Sequence, residues 1–324
     1  PLWSRGLGDV YKRQVLQMYL RHPYPNYSAA ERAQILPAEL CRYRYLGLEP
    51  FLNQADVLDV GCGTAHRVMP LAKHYGARRY VGLEQSAASI AVARALADEI
   101  GMDSTIVEGD LFSLPFADGS FDVVISQGVL HHTSDPWRGF AELVRVCKPG
   151  GFIDIYLYNW WNHLRHNLQK SKVDRLAGHD VEARFRAAHQ LYGTKPIEQM
   201  TPSEVAGFFD QYCHPHKSDH TVEETLAQFD AAGLEYWGSY PPLRVRDFIG
   251  LAQHRASLSA QFQRRSSQII VRLLSSLPAM GRTSPPFARP TWLHALAFQL
   301  LYAIQGAGGA YSGGPAFCVR KPAR

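Results

Sequence analysis

The feature that most restricts the fold is an alternation of short apolar runs with segments of helical spacing between residues 57 and 157. Strands that alternate with helices in this way form βαβ units, in which a parallel sheet is covered by helices on both faces. The predicted strands are Val57–Val60, Tyr80–Leu83, Thr105–Val107, Phe121–Ile125 and Phe152–Leu157. The predicted helices between them are Thr64–Tyr75, Ser86–Ile100 and Trp137–Cys147. The pattern predicts an α/β fold with a doubly wound, mostly parallel sheet.

The chain of 324 residues is long enough for two domains or for one domain with large insertions. Leu234–Tyr240 and Pro315–Arg320 also have strand character, which brings the predicted sheet to seven strands. Residues 1–14 resemble a translated sequencing adapter and are set aside from fold reasoning. The predicted divisions are a helical cap at 15–49, a core at 50–160, an insertion that forms a lid at 161–218, more core at 219–242, an Arg-rich helical insertion at 243–311 and a last core strand at 312–322.

The net charge of +5 is distributed unevenly along the chain. From Leu243 to Arg324 there are ten Arg and one Lys against one acid, Asp247. A basic amphipathic helix is predicted in this region, and it could bind membrane headgroups, an acidic partner or an anionic substrate, or simply face solvent. Its arginines are Arg255, Arg264, Arg265 and Arg272. Aromatic residues between these arginines are sparse, which disfavours nucleic acid as a partner.

The spacing of the cysteines and the length of the apolar runs bear on the cellular compartment of the protein. The five cysteines are odd in number and widely scattered, so a disulfide framework is not expected and a reducing, cytoplasmic compartment is favoured. The longest apolar run, Leu293–Ile304, is too short for a membrane span.

A glycine-containing turn, Asp59–Thr64, follows the first predicted strand. Glycines at this point allow a tight turn and a close approach of the backbone to a ligand. Glu84 ends the second strand, 21 residues after Gly63, where a carboxylate can accept both hydroxyl hydrogens of a ribose. These features predict a nucleoside site. His66 stands where a dinucleotide motif has its last glycine, which disfavours a nicotinamide-dependent oxidoreductase.

Together with further motifs, this turn resembles class I S-adenosylmethionine-dependent methyltransferases, within them the small-molecule branch that includes ubiquinone-biosynthesis methyltransferases. The motifs are residues 58–64, Glu84, Gly109–Asp110, residues 121–124, residues 129–132 and Lys148–Gly151. The resemblance implies S-adenosylmethionine as cofactor. It implies that Asp59, Gly61 and Gly63 hold the methionine part, that Glu84 and Gln85 hold the ribose, that Asp110 and Leu111 face the adenine, and that Gln127 lies near the sulfonium. Cys62 belongs to the same turn and is expected among the cofactor-binding residues, as a small packing residue rather than a nucleophile.

Candidate catalytic residues lie in two loops. His131 and His132 follow the fourth strand, where either could act as a general base or pack against the cofactor. His214 and His216 lie in a second loop, which either closes over the site and supplies a base or is only a polar connection. A metal site is not expected, because this loop contains a single cysteine.

Two tyrosines at predicted strand ends, Tyr158 and Tyr240, are expected to face the substrate, together with His216 of the second loop. The resemblance implies methylation of a small molecule, and we expect O-methylation of a saccharide, a lipid precursor or a secondary metabolite. The alternatives are a cofactor-binding subunit without catalysis and a NAD-dependent oxidoreductase.

Overall fold

A computed structural model describes residues 15–178, 180–244, 246–247, 251, 284–307 and 314–323. Within these residues, seven strands form one sheet in the order β3-β2-β1-β4-β5-β7-β6. The strands are β1 (Asp56–Val60), β2 (Arg79–Glu84), β3 (Ser104–Glu108), β4 (Phe121–Gln127), β5 (Cys147–Tyr156), β6 (Glu235–Tyr240) and β7 (Ala316–Arg320). β1 to β5 are parallel, and β7 is antiparallel to both of its neighbours. The predicted doubly wound, mostly parallel, seven-stranded α/β fold is confirmed.

Helices precede the sheet, connect its strands and form the insertion after β5. They are α1 (residues 15–21), α2 (Ala29–Tyr45), α3 (Glu49–Leu52), α4 (Val68–His74), α5 (Ala87–Ile100), α6 (Pro136–Val146), α7 (Leu164–Ala177), α8 (Val181–Tyr192), α9 (Pro202–Phe208), α10 (Val222–Ala231) and α11 (Trp292–Ala307). A π-helix, Phe209–Cys213, continues directly from α9. Residues 161–218 are therefore largely helical.

Two predicted boundaries were wrong. α4 begins at Val68 rather than at Thr64, because Ala65 has a left-handed φ of 57° that no α-helix accommodates. The fifth strand was predicted to begin at Phe152, but β5 begins at Cys147 and includes residues 148–151. Cys147 pairs with Phe121. The register shifts after this pair, and regular pairing resumes with Val123 and Phe152.

The core lies on both faces of the sheet, as the alternation of side chains along a strand requires. Leu58 and Val60 of β1 face one cluster of buried apolar side chains, and Val57 faces the other. The first cluster includes residues of α6, α10 and α11, and the second includes residues of α2, α4 and α5. Helices thus cover the sheet on both sides, and ligand access is left to its edges.

The insertion between β5 and α10 has a small core of its own, formed by Val173, Phe185, Phe209 and neighbouring side chains together with Met18 of α1. Backbone hydrogen bonds join the end of this insertion to the loops after β4 and β5. Ser218 N–H donates to the His131 carbonyl (2.7 Å), and His220 N–H donates to the Tyr158 carbonyl (2.8 Å). The insertion is therefore anchored beside the carboxyl ends of these two strands.

Two expectations lie outside the described residues: the adapter-like segment 1–14 and the basic helix around Arg264 and Arg265. In the part of the chain that the structure describes, no helix combines the length and the apolar character needed to cross a bilayer.

Candidate active site

A cavity of about 870 Å³ opens at the carboxyl ends of the parallel strands. β1 and β4 are neighbours, with β2 and β3 on one side of them and β5 on the other, so the connections diverge and leave a crevice between them. The cavity is lined by the turn after β1, the ends of β2, β3 and β4, the N-terminal segment and the insertion. Every cofactor residue expected from the sequence lines it: Asp59, Gly61, Cys62, Gly63, Glu84, Gln85, Asp110, Leu111 and Gln127.

The turn after β1 requires glycine at two positions. Gly61 and Gly63 have φ values of 71° and 54°. A Cβ at Gly63 would lie 2.3 Å from the Tyr24 carbonyl oxygen, a distance that no side chain can occupy. The N–H groups of Gly61 and Cys62 both donate to the Leu83 carbonyl (2.7 and 3.1 Å), which ties the turn to the end of β2.

Glu84 is a buried carboxylate at the end of β2 with suitable geometry for a ribose. Its Oε2 accepts from Gly63 N–H (3.0 Å), and its Oε1 accepts from Ser86 N–H (2.9 Å). These two bonds fix the carboxylate and leave each oxygen with a lone pair for a hydroxyl hydrogen. Burial raises the pKa of Glu84, and the backbone N–H groups oppose this rise. A vicinal diol would satisfy both oxygens.

Asp59 is the second buried acid on the cavity wall. It accepts a hydrogen bond from the Tyr80 hydroxyl (2.7 Å). Burial, together with the nearby charge of Glu84, raises the pKa of Asp59 to about 7, although the Tyr80 bond opposes the rise. A cation in the cavity would favour its ionised form, which suits the ammonium group of a methionine moiety.

The end of the cavity beside β3 is lined by the apolar residues Leu111 and Phe112. Asp110 Oδ1 accepts from Phe112 N–H (3.1 Å), which orients the carboxylate. The Arg138 guanidinium lies 5.0 Å from the centroid of the Phe112 ring. A carboxylate beside apolar surfaces suits a purine ring with an exocyclic amino group.

Gln127 is held by a buried network that was not predicted from the sequence. Its Nε2 donates to Asp154 Oδ2 (2.8 Å), which also accepts from Arg42 Nη2 (2.6 Å) and from the Tyr43 hydroxyl (2.5 Å). The amide nitrogen is therefore engaged, and the amide oxygen is left for a ligand. Asp154 was missed because it lies inside an apolar strand, and its partners come from α2, more than 100 residues earlier.

Of the four candidate histidines, His132 and His216 line the cavity. His132 Nδ1 is 3.2 Å from the His216 carbonyl oxygen, which can only accept, so Nδ1 carries the proton and Nε2 the lone pair of a neutral ring. Nε2 is 3.6 Å from Asp210 Oδ1. Burial lowers the pKa of His132, and the Asp210 charge opposes this effect. The ring is therefore neutral at neutral pH, with a carboxylate ready to stabilise the imidazolium.

The other two histidines are fully buried and do not line the cavity. The His131 ring stacks on Tyr158 with centroids 3.7 Å apart, and its two nitrogens have no hydrogen-bond partner among the described residues. The His214 ring lies 3.8 Å from that of His132. Burial lowers the pKa of both rings. A base in contact with a ligand, one of the alternatives left open by the sequence, does not fit either position. For His131 the reason is that the short 3₁₀-helix Leu130–His132 turns adjacent side chains to different sides.

The two tyrosines expected at the substrate also lie outside the cavity lining. The Tyr158 ring is buried, and its hydroxyl donates to Asp210 Oδ2 (3.2 Å). Tyr240 ends β6, and its ring packs near that of Tyr45, with centroids 5.9 Å apart. β5 and β7 lie between β6 and the crevice, so the end of this strand is remote from the crevice.

Among the polar residues beside the cavity that were not predicted as site residues are Tyr19, Tyr24, Arg67 and Asp210. Tyr19, Tyr24 and Arg67 line the cavity, and the Tyr19 hydroxyl donates to Asp210 Oδ1 (3.0 Å). Asp210 lies in the π-helix, an irregularity that often marks functional sites but has no signature in a single sequence. A cluster of tyrosines before the first strand was the only available signal for the N-terminal wall.

The fold and the cavity together have the features expected of a nucleoside site in an α/β protein: a glycine turn after β1, a buried carboxylate at the end of β2 and apolar side chains after β3. Residues 58–155 match the family model of the methyltransferase domain. This part of the chain is a class I S-adenosylmethionine-dependent methyltransferase domain, and its cofactor is S-adenosylmethionine.

Several proteins are similar to this chain. An uncharacterised protein of Synechococcus sp. is 25% identical over 256 residues, which cover 72% of this chain and 61% of that protein. Norajmaline N-methyltransferase of Rauvolfia serpentina is 30% identical over 122 residues, 37% of this chain and 41% of that enzyme. The solved structure of the YcgJ protein from Bacillus subtilis has a TM-score of 0.40 at 18% identity, covering 86% of this chain and 95% of that one. The chain thus spans less than two thirds of the length of either curated relative.

Proposed function

We propose that the protein is an S-adenosylmethionine-dependent methyltransferase that methylates a hydroxyl group of a small molecule. The observation that carries the proposal is the meeting of all nine expected cofactor residues and a neutral histidine, His132, around one cavity. The cofactor, when bound, supplies an electrophilic methyl group on a sulfonium. In this proposal Glu84 holds the ribose, Asp59 the ammonium group and Asp110 the adenine.

His132 is proposed to act as the general base. Its Nε2 would take the proton of the acceptor hydroxyl; the cofactor, held by Glu84, Asp59 and Asp110, would supply the methyl group to that oxygen and leave as S-adenosylhomocysteine. Its Nδ1–H stays bound to the His216 carbonyl, which fixes the tautomer. Asp210 acts as a positioning residue: it is held by the hydroxyls of Tyr19 and Tyr158, and it stabilises the imidazolium. A positioned base contributes about 10²- to 10⁴-fold in rate.

N-methylation of an amine is a second candidate, because two relatives from Rauvolfia serpentina are named as N-methyltransferases. An amine that binds in its neutral form needs less help from a base than a hydroxyl does. The two candidates therefore differ in how strongly they depend on His132.

The test is incubation of the protein with a methyl donor carrying deuterium in its methyl group and a fractionated metabolite extract, followed by mass spectrometry. We expect a labelled product whose fragmentation places the methyl group on oxygen, and we expect His132→Ala to abolish nearly all of it. Label on nitrogen would favour the second candidate. Binding of S-adenosylhomocysteine without any labelled product would favour a cofactor-binding subunit without catalysis.

We also propose binding partners and a cellular location for the protein. We expect a small-molecule substrate and a cytoplasmic location, on the grounds of the scattered cysteines. The Arg-rich C-terminal region is proposed to meet a membrane surface or an acidic partner, with nucleic acid disfavoured. Sedimentation with vesicles of anionic phospholipid, compared with neutral vesicles, tests the membrane partner: equal binding to both would contradict it.

A further inference from the structure

α11 turns apolar side chains to solvent and a polar one to the core. Its buried side carries Ala295, Phe298 and Gln299. The Gln299 amide is bound there, since its oxygen accepts from Val222 N–H (3.0 Å) and its nitrogen donates to Glu223 (2.9 Å). The exposed side chains on the opposite side are Trp292, Leu293, Ala297, Leu300 and Leu301. A surface helix ordinarily has the reverse arrangement, with its apolar side against the core.

α7 contacts α11 and exposes a side that is both apolar and basic. Residues three, four and seven apart lie on the same side of a helix. This spacing joins the exposed side chains of α7, which are Leu164, Arg165, Leu168, Lys172, Arg175 and Leu176. The one acid of this helix, Asp174, is paired with Lys170 (3.2 Å) and with Arg184 (3.2 Å). The exposed side of α7 therefore carries positive charge among its leucines.

These two helices hold most of the large apolar side chains that are exposed in the described residues. Leu168 is 72% exposed and Trp292 is 65% exposed. Clustered exposed apolar side chains mark a surface that binds a partner. Three acids of α10, which also contacts α11, are each bound to another side chain: Glu223 to Gln299, Glu224 to His220 and Asp230 to Arg289. The charge of α7 thus favours an anionic partner.

The sequence before α11 adds positive charge of its own. Residues 252–283, which lie outside the described ranges, contain no Lys, Asp or Glu. Their arginines are Arg255, Arg264, Arg265, Arg272 and Arg282. Like charges would oppose the packing of this segment on α7, whereas both would be attracted to the same anionic surface.

We propose that α7 and α11 form a docking face for a bilayer that contains anionic phospholipid. The docking face consists of Leu164, Arg165, Leu168, Lys172, Arg175 and Leu176 of α7 and Trp292, Leu293, Leu300 and Leu301 of α11. Leucine and tryptophan side chains suit the boundary of the acyl chains, while the long basic side chains reach the phosphates. The inference goes beyond methyl transfer, and it concerns helices that the Arg-rich segment 252–283 does not include.

The first arm of the test is sedimentation of the full chain with vesicles of phosphatidylcholine alone or of equal parts of phosphatidylcholine and phosphatidylglycerol. We expect the wild type to bind the mixed vesicles at least about tenfold more tightly. The double variants Leu168→Gln/Leu300→Gln and Lys172→Glu/Arg175→Glu should each weaken this binding by about tenfold or more. Ile197→Gln is the matched control, because Ile197 is an exposed apolar residue outside both helices. It should bind as the wild type does.

The second arm locates the contact with mixed vesicles whose acyl chains carry bromine, which quenches tryptophan fluorescence at short range. We expect the wild type to be quenched and Trp292→Phe to lose part of that quenching. Light scattering without vesicles, over a range of protein concentrations, tests a second copy of the chain as the occupant. We expect the mass of a monomer throughout.

Each contrary outcome overturns the inference in a different way. Vesicle binding that survives in both double variants would assign it to the Arg-rich segment alone, and no binding to the mixed vesicles would leave an acidic protein as the partner. A dimer that Leu300→Gln dissociates would assign the face to a second copy, and equal quenching in Trp292→Phe would exclude α11 from the contact. The variants should keep the affinity of the wild type for S-adenosylhomocysteine, since the altered side chains are exposed and outside the cavity. A wild type that fails to bind S-adenosylhomocysteine would contradict the proposed function and not this inference.

Discussion

In the proposed function, nucleoside binding should depend most on Glu84, because backbone hydrogen bonds fix both of its oxygens and the residue lines the cavity. We predict that Glu84→Ala weakens S-adenosylhomocysteine binding by more than about 1 kcal/mol, since it removes charge-assisted hydrogen bonds to two hydroxyls. Calorimetric titration measures this change. Glu108→Ala is the matched control: it lies beside Glu84 in the sheet register but is exposed and outside the cavity, and it should bind normally. Equal affinity of the two variants would refute the ribose role.

Asp59 should make stability depend on pH. The pKa of this carboxyl in the folded protein is about 7, above its ordinary value near 4, so the folded state holds a proton that the unfolded chain has lost. The free energy of unfolding should therefore fall as pH rises from about 4 to about 7, by up to about 4 kcal/mol from this group. Asp59→Asn should remove that part of the slope in urea titrations at several pH values. Asp56→Asn, in the same strand but ion-paired to Arg79 and Lys148, should not flatten it; similar slopes for wild type and Asp59→Asn would contradict the assignment.

His132 and Asp210 should affect turnover rather than cofactor affinity. We predict that His132→Ala lowers kcat by about 10²-fold or more, with S-adenosylhomocysteine affinity within about twofold. Asp210→Asn should lower kcat less and should also move the acidic limb of the kcat profile to lower pH, because the Asp210 charge raises the pKa of His132. His74→Gln, at a histidine outside the cavity, is the control. An acidic limb that does not move in Asp210→Asn would exclude the proposed pair.

At the scale of secondary-structure elements, the sequence could predict the features that a local residue pattern determines. Apolar runs located all seven strands, because burial on both faces of a parallel sheet needs such runs. The start of α4 was missed, since it depends on the left-handed φ of Ala65, and alanine carries no signal for that conformation. Tyr240 was expected at the cleft because it ends a strand, but the placement of β7 between β5 and β6 is a pairing between distant segments that no local pattern reveals.

Adding a single Cβ atom to the turn after β1 tests whether close backbone contact shapes the site. Gly63→Ala places a Cβ against the Tyr24 carbonyl, and we expect it to weaken S-adenosylhomocysteine binding by about tenfold or more and to destabilise the fold. Gly233→Ala is the matched control. Gly233 also has a positive φ, of 68°, but nothing lies within 4 Å of its added Cβ. It should cost only about 1 kcal/mol of stability, measured by urea titration, and leave binding unchanged. If both variants bind equally well, close contact at Gly63 is not what shapes the site.

At the scale of the whole molecule, the candidate site is assembled from three separate parts of the chain. The core supplies the cofactor residues and His132, the insertion supplies His216 and the nearby Asp210, and the segment before β1 supplies Tyr19 and Tyr24. The core could be predicted because its motifs are contiguous. The other two walls could not, since they meet the core only through long-range hydrogen bonds and packing. We propose that residues 161–218 act as a lid, because they enclose the cavity beside His132.

The most direct measurement of the central claim is calorimetric titration of the wild-type protein with S-adenosylhomocysteine and, separately, with NAD. The geometry of Gly61, Gly63, Glu84 and Asp110 predicts one-to-one binding of S-adenosylhomocysteine at least about tenfold tighter than that of NAD. Tighter binding of NAD, or no binding of S-adenosylhomocysteine, would contradict the account.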